Sequence, residues 1–202
     1  MTEIKISPLQ PKEVDKAAEV LSKAFVNTPF TGKIVGGHTE KHRRLVQIGF
    51  KNMISKKPGE KVVAKDGDEI VGVMRMVKWP DCQNSIPRGL ETIPIYIVAR
   101  KVLGRLQEAR KVWGVHDPKK PHWHVDPIGI LPERQGQGIG GMLMKYYCER
   151  VDSEDMPAYH ETDQMQNVRF YEKHGYKVIE TEPIFGITNW FLWREPNGKR
   201  EG

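Results

Sequence analysis

The sequence predicts an α/β fold of three layers, in which helices cover one mixed, largely antiparallel sheet of six or seven strands. Three observations lead to this prediction. Short β-type segments are interspersed with longer helical ones along the chain. An Asp66-Gly67 pair between two runs that include several valines predicts an antiparallel hairpin. One strand also leads through a glycine-rich turn directly into a helix.

Strands and helices are assigned from apolar periodicity and from the residues that interrupt it. The predicted strands are Ile4–Ser7, Lys61–Lys65, Glu69–Trp79, His122–Leu131, Pro157–Thr162, Tyr176–Thr181 and Thr188–Trp193. One helix begins at Pro11, and others are predicted over Glu40–Ser55, Thr92–Trp113, Gly138–Val151 and Asn167–His174. Proline and glycine residues between Asn27 and Thr39 predict a loop.

The chain length of 202 residues predicts a single domain, 1–202. Within it, Asp81–Pro121 is too long for an ordinary connection between strands. We expect this segment to be a largely helical insertion near the acceptor pocket. Residues 196–202 are expected to form a flexible tail.

Composition narrows the classes of protein to which the chain can belong. The net charge of +6 comes from basic residues scattered among 26 acidic ones, which predicts no nucleic-acid partner but suits a polyanionic cofactor. The absence of a long apolar run predicts no membrane span, and the N-terminal residues lack a signal-peptide pattern. We therefore expect a cytoplasmic protein in which Cys82 and Cys148 are free thiols.

A glycine-rich segment that follows the strand His122–Leu131 carries the main functional signal. Glycines let the backbone approach a ligand closely, and the first turn of a helix has N–H groups without internal partners. Together these features predict a pyrophosphate site at a helix N-terminus. Its members are Gln135, Gly136, Gln137, Gly138, Ile139, Gly140 and Gly141.

Two families share such a turn. Gly136, Gly138 and Gly141 fit the dinucleotide-binding GxGxxG, with Glu161 at the distance of a ribose-binding acid. Gln135, Gly138 and Gly140 instead fit Q/R-x-x-G-x-G/A, and the later segment Phe170-Tyr171-Glu172-Lys173-His174-Gly175-Tyr176 fits F/L-Y-E-x-x-G-F/Y. Two elements in the right order are more specific than one. The chain therefore resembles the GNAT N-acetyltransferases, and within them the puromycin N-acetyltransferase-like group.

The resemblance implies that acetyl-CoA is the co-substrate and that its acetyl group passes to a primary amine, with a small-molecule acceptor favoured over a protein. It implies that the backbone of Ile128 and Ile130 binds the pantetheine amides and that Asn167 and Tyr171 line the arm near the thioester. Arg134 adjoins the glycine-rich turn and is the first candidate for a CoA phosphate partner. Lys145, Arg169 and Lys173 are further candidates, and a solvated surface charge is the alternative favoured for each of the four residues.

The transfer chemistry also points to individual side chains. The departing thiolate is helped by an acid, for which Tyr171 is the candidate, with a packing residue on an amphipathic helix as the alternative. The attacking amine must lose a proton, and Glu161 and His124 are the candidate bases, beside His122, Asp126 and His160. His122 and His124 could also hint at a metal, but spacing places no third ligand, so we expect none.

Two rival functions remain at this stage. One is a non-catalytic acyl-CoA-binding or regulatory module on the same fold, and the other is a dinucleotide-dependent oxidoreductase. Trp113 and Trp123 could shape an acceptor pocket or simply pack in the core. The oligomeric state stays open, with a homodimer as one alternative.

Overall fold

The computed structural model describes residues 3–83 and 100–197, which contain one seven-stranded sheet. The strands are β1 Ile4–Pro8, β2 Glu60–Asp66, β3 Glu69–Lys78, β4 Trp123–Ile130, β5 Ala158–Thr162, β6 Lys177–Ile184 and β7 Ile187–Arg194. Their order is β1-β2-β3-β4-β5-β7-β6. Neighbours are antiparallel except for β4 and β5, which are parallel. The predicted mixed, largely antiparallel sheet is confirmed.

The helices of the described residues lie between these strands. They are α1 Val14–Phe25, α2 Pro29–Val35, α3 Glu40–Lys56, α4 Arg100–His116, α5 Ile139–Ser153 and α6 Met165–Glu172. Pro11 begins a short 3₁₀ turn that leads into α1, whose Ala17, Ala18 and Leu21 are fully buried. No helix in the described part of the chain is both long and apolar enough to cross a bilayer.

The predicted loop between Asn27 and Thr39 is wrong, because this segment contains helix α2. The proline and glycine residues that predicted a loop include those at the two ends of this helix. The Thr28 hydroxyl accepts from the Thr31 N–H at 3.2 Å, Pro29 is the first helical residue, and Gly36 ends the helix with φ of 90°. Proline fits a first helical position and glycine fits the residue after a helix, so both residue types also suit a short helix.

The insertion is described only in its second half. Helix α4 runs without a break through Gly104 and ends three residues after the predicted end at Trp113. The predicted start at Thr92 falls within residues 84–99, which lie outside the described residues. Most of the tail expected over 196–202 lies outside them too.

Helices cover the sheet from both sides. A Cβ built on Gly129 in β4 would lie 3.0 Å from Leu21 and 3.1 Å from Ala24, so this face of β4 packs closely under α1. The next residue, Ile130, points to the opposite face, where it lies beside Gly72 together with Ile139 and Leu143 of α5. The sheet is therefore the middle of three layers, as predicted.

Candidate active site

Strands β4 and β5 diverge at the centre of the sheet. Their parallel pairing in the structure comprises two positions, Trp123 with Ala158 and His124 with Tyr159. Beyond His124, β4 continues to Ile130 with its hydrogen-bonded partner β3 on one side. The edge of β4 that faces β5 thus borders a gap into which an extended ligand could add like a strand.

Backbone groups of β4 point into this gap. The Leu131 N–H donates to the Val71 carbonyl of β3 at 2.9 Å. Because backbone groups alternate between the two edges of a strand, those of Ile128 and Ile130 point away from β3. The Gln135 side-chain amide donates to the Ile130 carbonyl at 3.2 Å, which agrees with this direction.

The glycine-rich turn lies at the end of β4 and begins α5. Gly136 and Gly138 have φ of 75° and 81°, values that favour glycine, and Gly138 is the N-cap of α5. Residues Gln135 to Gly138 are exposed. The first-turn N–H groups of α5 therefore face an open surface beside the gap, as expected for binding an anion.

Helix α6 borders the other side of the gap. Asn167 donates through its amide to the Thr162 hydroxyl at 3.2 Å, at the end of β5. Tyr171 is only 4 % exposed, and its ring packs edge-on against His160 at 4.3 Å between centroids. Burial raises the pKa of the Tyr171 hydroxyl, so it stays protonated and able to donate near neutral pH.

His124 of β4 and Glu161 of β5 come together on the face of the sheet opposite to His160 and Tyr171. The His124 Nε2 lies 3.0 Å from the Glu161 Oε2, and this contact is an ion pair without the geometry of a directed hydrogen bond. Burial alone would lower the pKa of His124, but the Glu161 carboxylate raises it well above its usual value. Of the two side chains, Glu161 is the more exposed, at 17 % against 8 %.

Comparison with known proteins identifies the family. The sequence model of the acetyltransferase (GNAT) family matches residues 24–176, which is most of the chain. The chain belongs to the GNAT family of acetyltransferases. This matches the family inferred from the glycine-rich turn and the Tyr171 segment, and it makes the protein an N-acetyltransferase.

Solved GNAT structures share the fold over nearly the whole chain. A histone acetyltransferase-related protein from Corynebacterium glutamicum has a TM-score of 0.71 at 20% identity, covering 99% of both chains. An acetyl-CoA complex of a GNAT acetyltransferase from Brucella melitensis has a TM-score of 0.55 at 14% identity, covering 96% of this chain and 89% of that one. A mosquito arylalkylamine N-acetyltransferase-like protein has a TM-score of 0.59 at 15% identity, covering 96% and 100%. The puromycin-like subgroup stays a prediction.

The other candidate bases of this GNAT protein already have partners. His160 Nδ1–H donates to the Val125 carbonyl at 2.8 Å, and burial lowers its pKa to about 4. Asp126 pairs with Arg75, whose Nη1 lies 3.3 Å from its Oδ2. His122 donates through Nδ1 to the Lys120 carbonyl at 2.8 Å. These contacts leave the pair of His124 and Glu161 as the arrangement best suited to receive a proton.

The candidate phosphate ligand Arg134 is engaged within the protein. Its Nη2 pairs with Asp66 in the hairpin between β2 and β3, and its Nη1 lies 3.5 Å from Glu69. This pairing fixes the guanidinium beside the glycine-rich turn. Its role toward a CoA phosphate stays a prediction, as do those of Lys145, Arg169 and Lys173.

The two tryptophans have different surroundings. Trp123 is 2 % exposed and belongs to the main core, where its Nε1–H donates to Glu154 at 3.0 Å. Trp113 lies on α4, 5.1 Å from Phe30 of α2 between ring centroids. The structure thus favours core packing for Trp123 and leaves Trp113 as a candidate for shaping the acceptor pocket.

Sequence reasoning missed two residues that the fold brings to His122. Cys82 and Asp117 lie at opposite ends of the insertion, yet the Cys82 Sγ is 3.8 Å and the Asp117 Oδ1 is 3.2 Å from the His122 Nε2. Cys82 lies 40 residues before His122, so no local motif could have found it. Asp117 lies close before His122 in the sequence, and this spacing of an acid and a histidine is the one local signal that was available.

Proposed function

We propose that this GNAT protein transfers the acetyl group of acetyl-CoA to the primary amine of a small molecule. The observation that carries the proposal is the gap between β4 and β5, which starts beyond His124 and opens toward the exposed N-terminus of α5. A pantetheine arm in the gap is bonded by the backbone of Ile128 and Ile130, while the pyrophosphate lies on the N–H groups of Gln135 to Gly141.

The thioester end of the arm lies toward Asn167 and Tyr171. Their elements, α6 and the end of β5, border the gap on the side opposite to β4. A buried hydroxyl held in its protonated form suits donation to the departing CoA thiolate. Tyr171 is accordingly assigned as the acid, and Asn167 as a residue that orients the arm.

Proton removal from the acceptor ammonium is assigned to Glu161, with His124 positioning its carboxylate. The support is the 3.0 Å contact between them and the greater exposure of Glu161. A neutral amine then attacks the thioester carbon, the tetrahedral intermediate collapses, and CoA leaves as the thiol after protonation. No part of this transfer is assigned to a metal.

A small acceptor is favoured by what covers the Glu161 face. Phe191 of β7 pairs with Glu161 and so points to the same face, and His116 at the end of α4 stacks on Phe191 at 4.1 Å between ring centroids. Helix α4 therefore lies beside the proposed base. This cover narrows the approach to Glu161 and favours a compact amine over a folded protein surface.

The experiment is an acceptor screen with acetyl-CoA and detection of free CoA thiol. Small amines, including arylalkylamines, polyamines and puromycin, form one arm, and peptides with a free N-terminus or lysine form the other. Thiol release with a small amine supports the proposal, whereas release with peptides alone moves the acceptor class to proteins. Acetyl-CoA binding without turnover of any amine would favour the non-catalytic module, and NAD binding without CoA binding would contradict the cofactor assignment.

A further inference from the structure

Four side chains from three separate segments converge beside the sheet. Cys82, Asp117, His122 and His124 each offer a ligand atom, and these atoms all lie within 4.8 Å of one another. Cys82 follows β3, Asp117 follows α4, His122 immediately precedes β4 and His124 belongs to it. His122 is fully buried, while Asp117 and His124 are 7 % and 6 % exposed.

The hydrogen bonding of His122 directs its Nε2 toward two other side chains. Since a carbonyl only accepts, the Nδ1 bonded to the Lys120 carbonyl carries the proton, and a neutral ring then has a lone pair on Nε2. That Nε2 faces the Asp117 Oδ1 at 3.2 Å and the Cys82 Sγ at 3.8 Å, both electron-rich atoms. The Asp117 Oδ1 is buried without a hydrogen-bond partner among the described residues.

His124 has the same unsatisfied character. Both of its ring nitrogens are buried without a hydrogen bond of good geometry in the described part of the chain. Buried polar atoms without partners are rare in folded proteins and call for a ligand or an ion. Asp117 and His124 therefore each present a buried polar atom without a hydrogen bond of good geometry, beside the Nε2 of His122 and the Sγ of Cys82.

We propose that Cys82, Asp117, His122 and His124 bind one divalent transition-metal ion of the zinc class. A tetrahedral zinc ion at its usual bond lengths places neighbouring ligand atoms roughly 3.3–3.8 Å apart. The His122 Nε2 lies 3.2 Å from the Asp117 Oδ1 and 3.8 Å from the Cys82 Sγ, and both distances are close to that range. This inference does not depend on the proposed acetyl transfer.

The kinds of ligand atoms at this site favour zinc over calcium or magnesium. A thiolate and two imidazoles are typical ligands of zinc, whereas calcium and magnesium prefer oxygen. One thiolate and one carboxylate together carry two negative charges, which a divalent cation neutralises in this buried position. Four protein ligands leave no open position, so the ion is structural rather than catalytic.

The location of the site gives the ion its structural effect. Cys82 and Asp117 flank the segment that ends in α4, so one ion fastens both ends of the insertion to β4. The fixed Nδ1–H of His122 on the Lys120 carbonyl is the outer contact that orients a liganding imidazole. His124 also contacts Glu161 at 3.0 Å, so the ion would hold His124 in place beside the proposed base.

The test uses the full chain freed of metal with a chelator and then titrated with Zn²⁺ or Co²⁺ by calorimetry. We expect one equivalent of either ion to bind, with thiolate-to-cobalt charge-transfer absorption and a melting temperature that rises with metal concentration. Cys82→Ser should weaken binding at least about tenfold, the loss that follows even from removing an outer-shell partner. Cys148→Ser is the matched control and should bind like the wild type, because Cys148 contacts the His174 carbonyl instead.

A second measurement covers the case in which Cys82→Ser fails to fold. Alkylation of the wild-type chain with iodoacetamide, mapped by mass spectrometry, should show that Zn²⁺ protects Cys82 and leaves Cys148 unchanged. A folded wild type that binds no stoichiometric Zn²⁺ or Co²⁺ would overturn the site and leave a protonated His122 paired with Asp117. Unchanged metal affinity in folded Cys82→Ser, or unchanged labelling of Cys82 with Zn²⁺, would also overturn it.

Discussion

His160 on β5 donates through Nδ1–H to the backbone carbonyl of Val125 on β4, 2.8 Å away, just beyond the point where the ladder between the two strands stops. This bond bridges the start of the gap. The ring of His160 also packs against the ring of Tyr171 on α6. One buried histidine therefore links the strand that would hold the pantetheine arm to the helix that carries the proposed acid.

The first prediction concerns stability at acid pH. Burial lowers the pKa of His160 to about 4. The charge of Glu161 acts against this effect and raises the pKa, whereas the charge of His124 lowers it further. Between roughly pH 6.5 and pH 4 the unfolded chain binds a proton that the folded chain does not, so stability falls as pH falls, by up to about 1.4 kcal/mol per unit. Urea unfolding at several pH values measures this slope.

The matched variant is His160→Gln, which keeps a donor for the Val125 carbonyl but does not titrate. We expect its free energy of unfolding to fall less steeply than that of the wild type over this pH window. Parallel slopes in the two proteins would mean that His160 is not held neutral.

The second prediction concerns Tyr171. Tyr171→Phe removes only the hydroxyl and leaves the buried ring in place. If this hydroxyl protonates the leaving thiolate, kcat should fall toward the lower end of about 10²–10⁴-fold, with little change in KM for acetyl-CoA. Steady-state rates with one fixed acceptor measure both constants. A variant within about twofold of the wild type would make Tyr171 a packing residue.

The third prediction separates two glycines of the phosphate-binding turn. Gly138 has φ of 81°, and a Cβ there meets no protein atom within 4 Å, so Gly138→Ala strains the backbone without a clash. A non-glycine residue in this region costs about 1–2 kcal/mol, which should distort the turn and weaken acetyl-CoA binding on the order of tenfold. Gly141→Ala is the control, since its Cβ position is equally open without a positive φ. Calorimetry should show a larger loss of acetyl-CoA affinity for Gly138→Ala than for Gly141→Ala. Equal affinities would mean that the backbone conformation at Gly138 does not contribute to acetyl-CoA binding.

The fourth prediction concerns stability alone. Arg194 is 3 % exposed, and its guanidinium binds both oxygens of Asp152 at 2.7 Å and 2.8 Å and the His174 carbonyl at 2.9 Å. Arg194→Met should lower the free energy of unfolding by about 3 kcal/mol, because a partly buried carboxylate loses its partner. Arg150→Met removes surface pairs with Glu60 and Glu154 and should cost less than about 1 kcal/mol. Similar losses in chemical denaturation would count against this ranking.

The sequence by itself determined the seven strands, most of the helices, the glycine-rich turn and the family. These features can be predicted because they depend on local periodicity and short motifs, that is, on residues close together in the sequence. The same local signals predicted a loop where α2 forms, because proline and glycine mark both loops and the ends of short helices.

Tertiary structure decided which distant side chains meet. His124 reaches Glu161 because β4 and β5 are adjacent and parallel, and Cys82 reaches His122 because it follows β3, which pairs with β4. Sequence spacing carries no record of such contacts between residues that are far apart in the chain. The pairing order of the strands and the packing of α4 fix them, and both depend on the whole sheet rather than on any one segment.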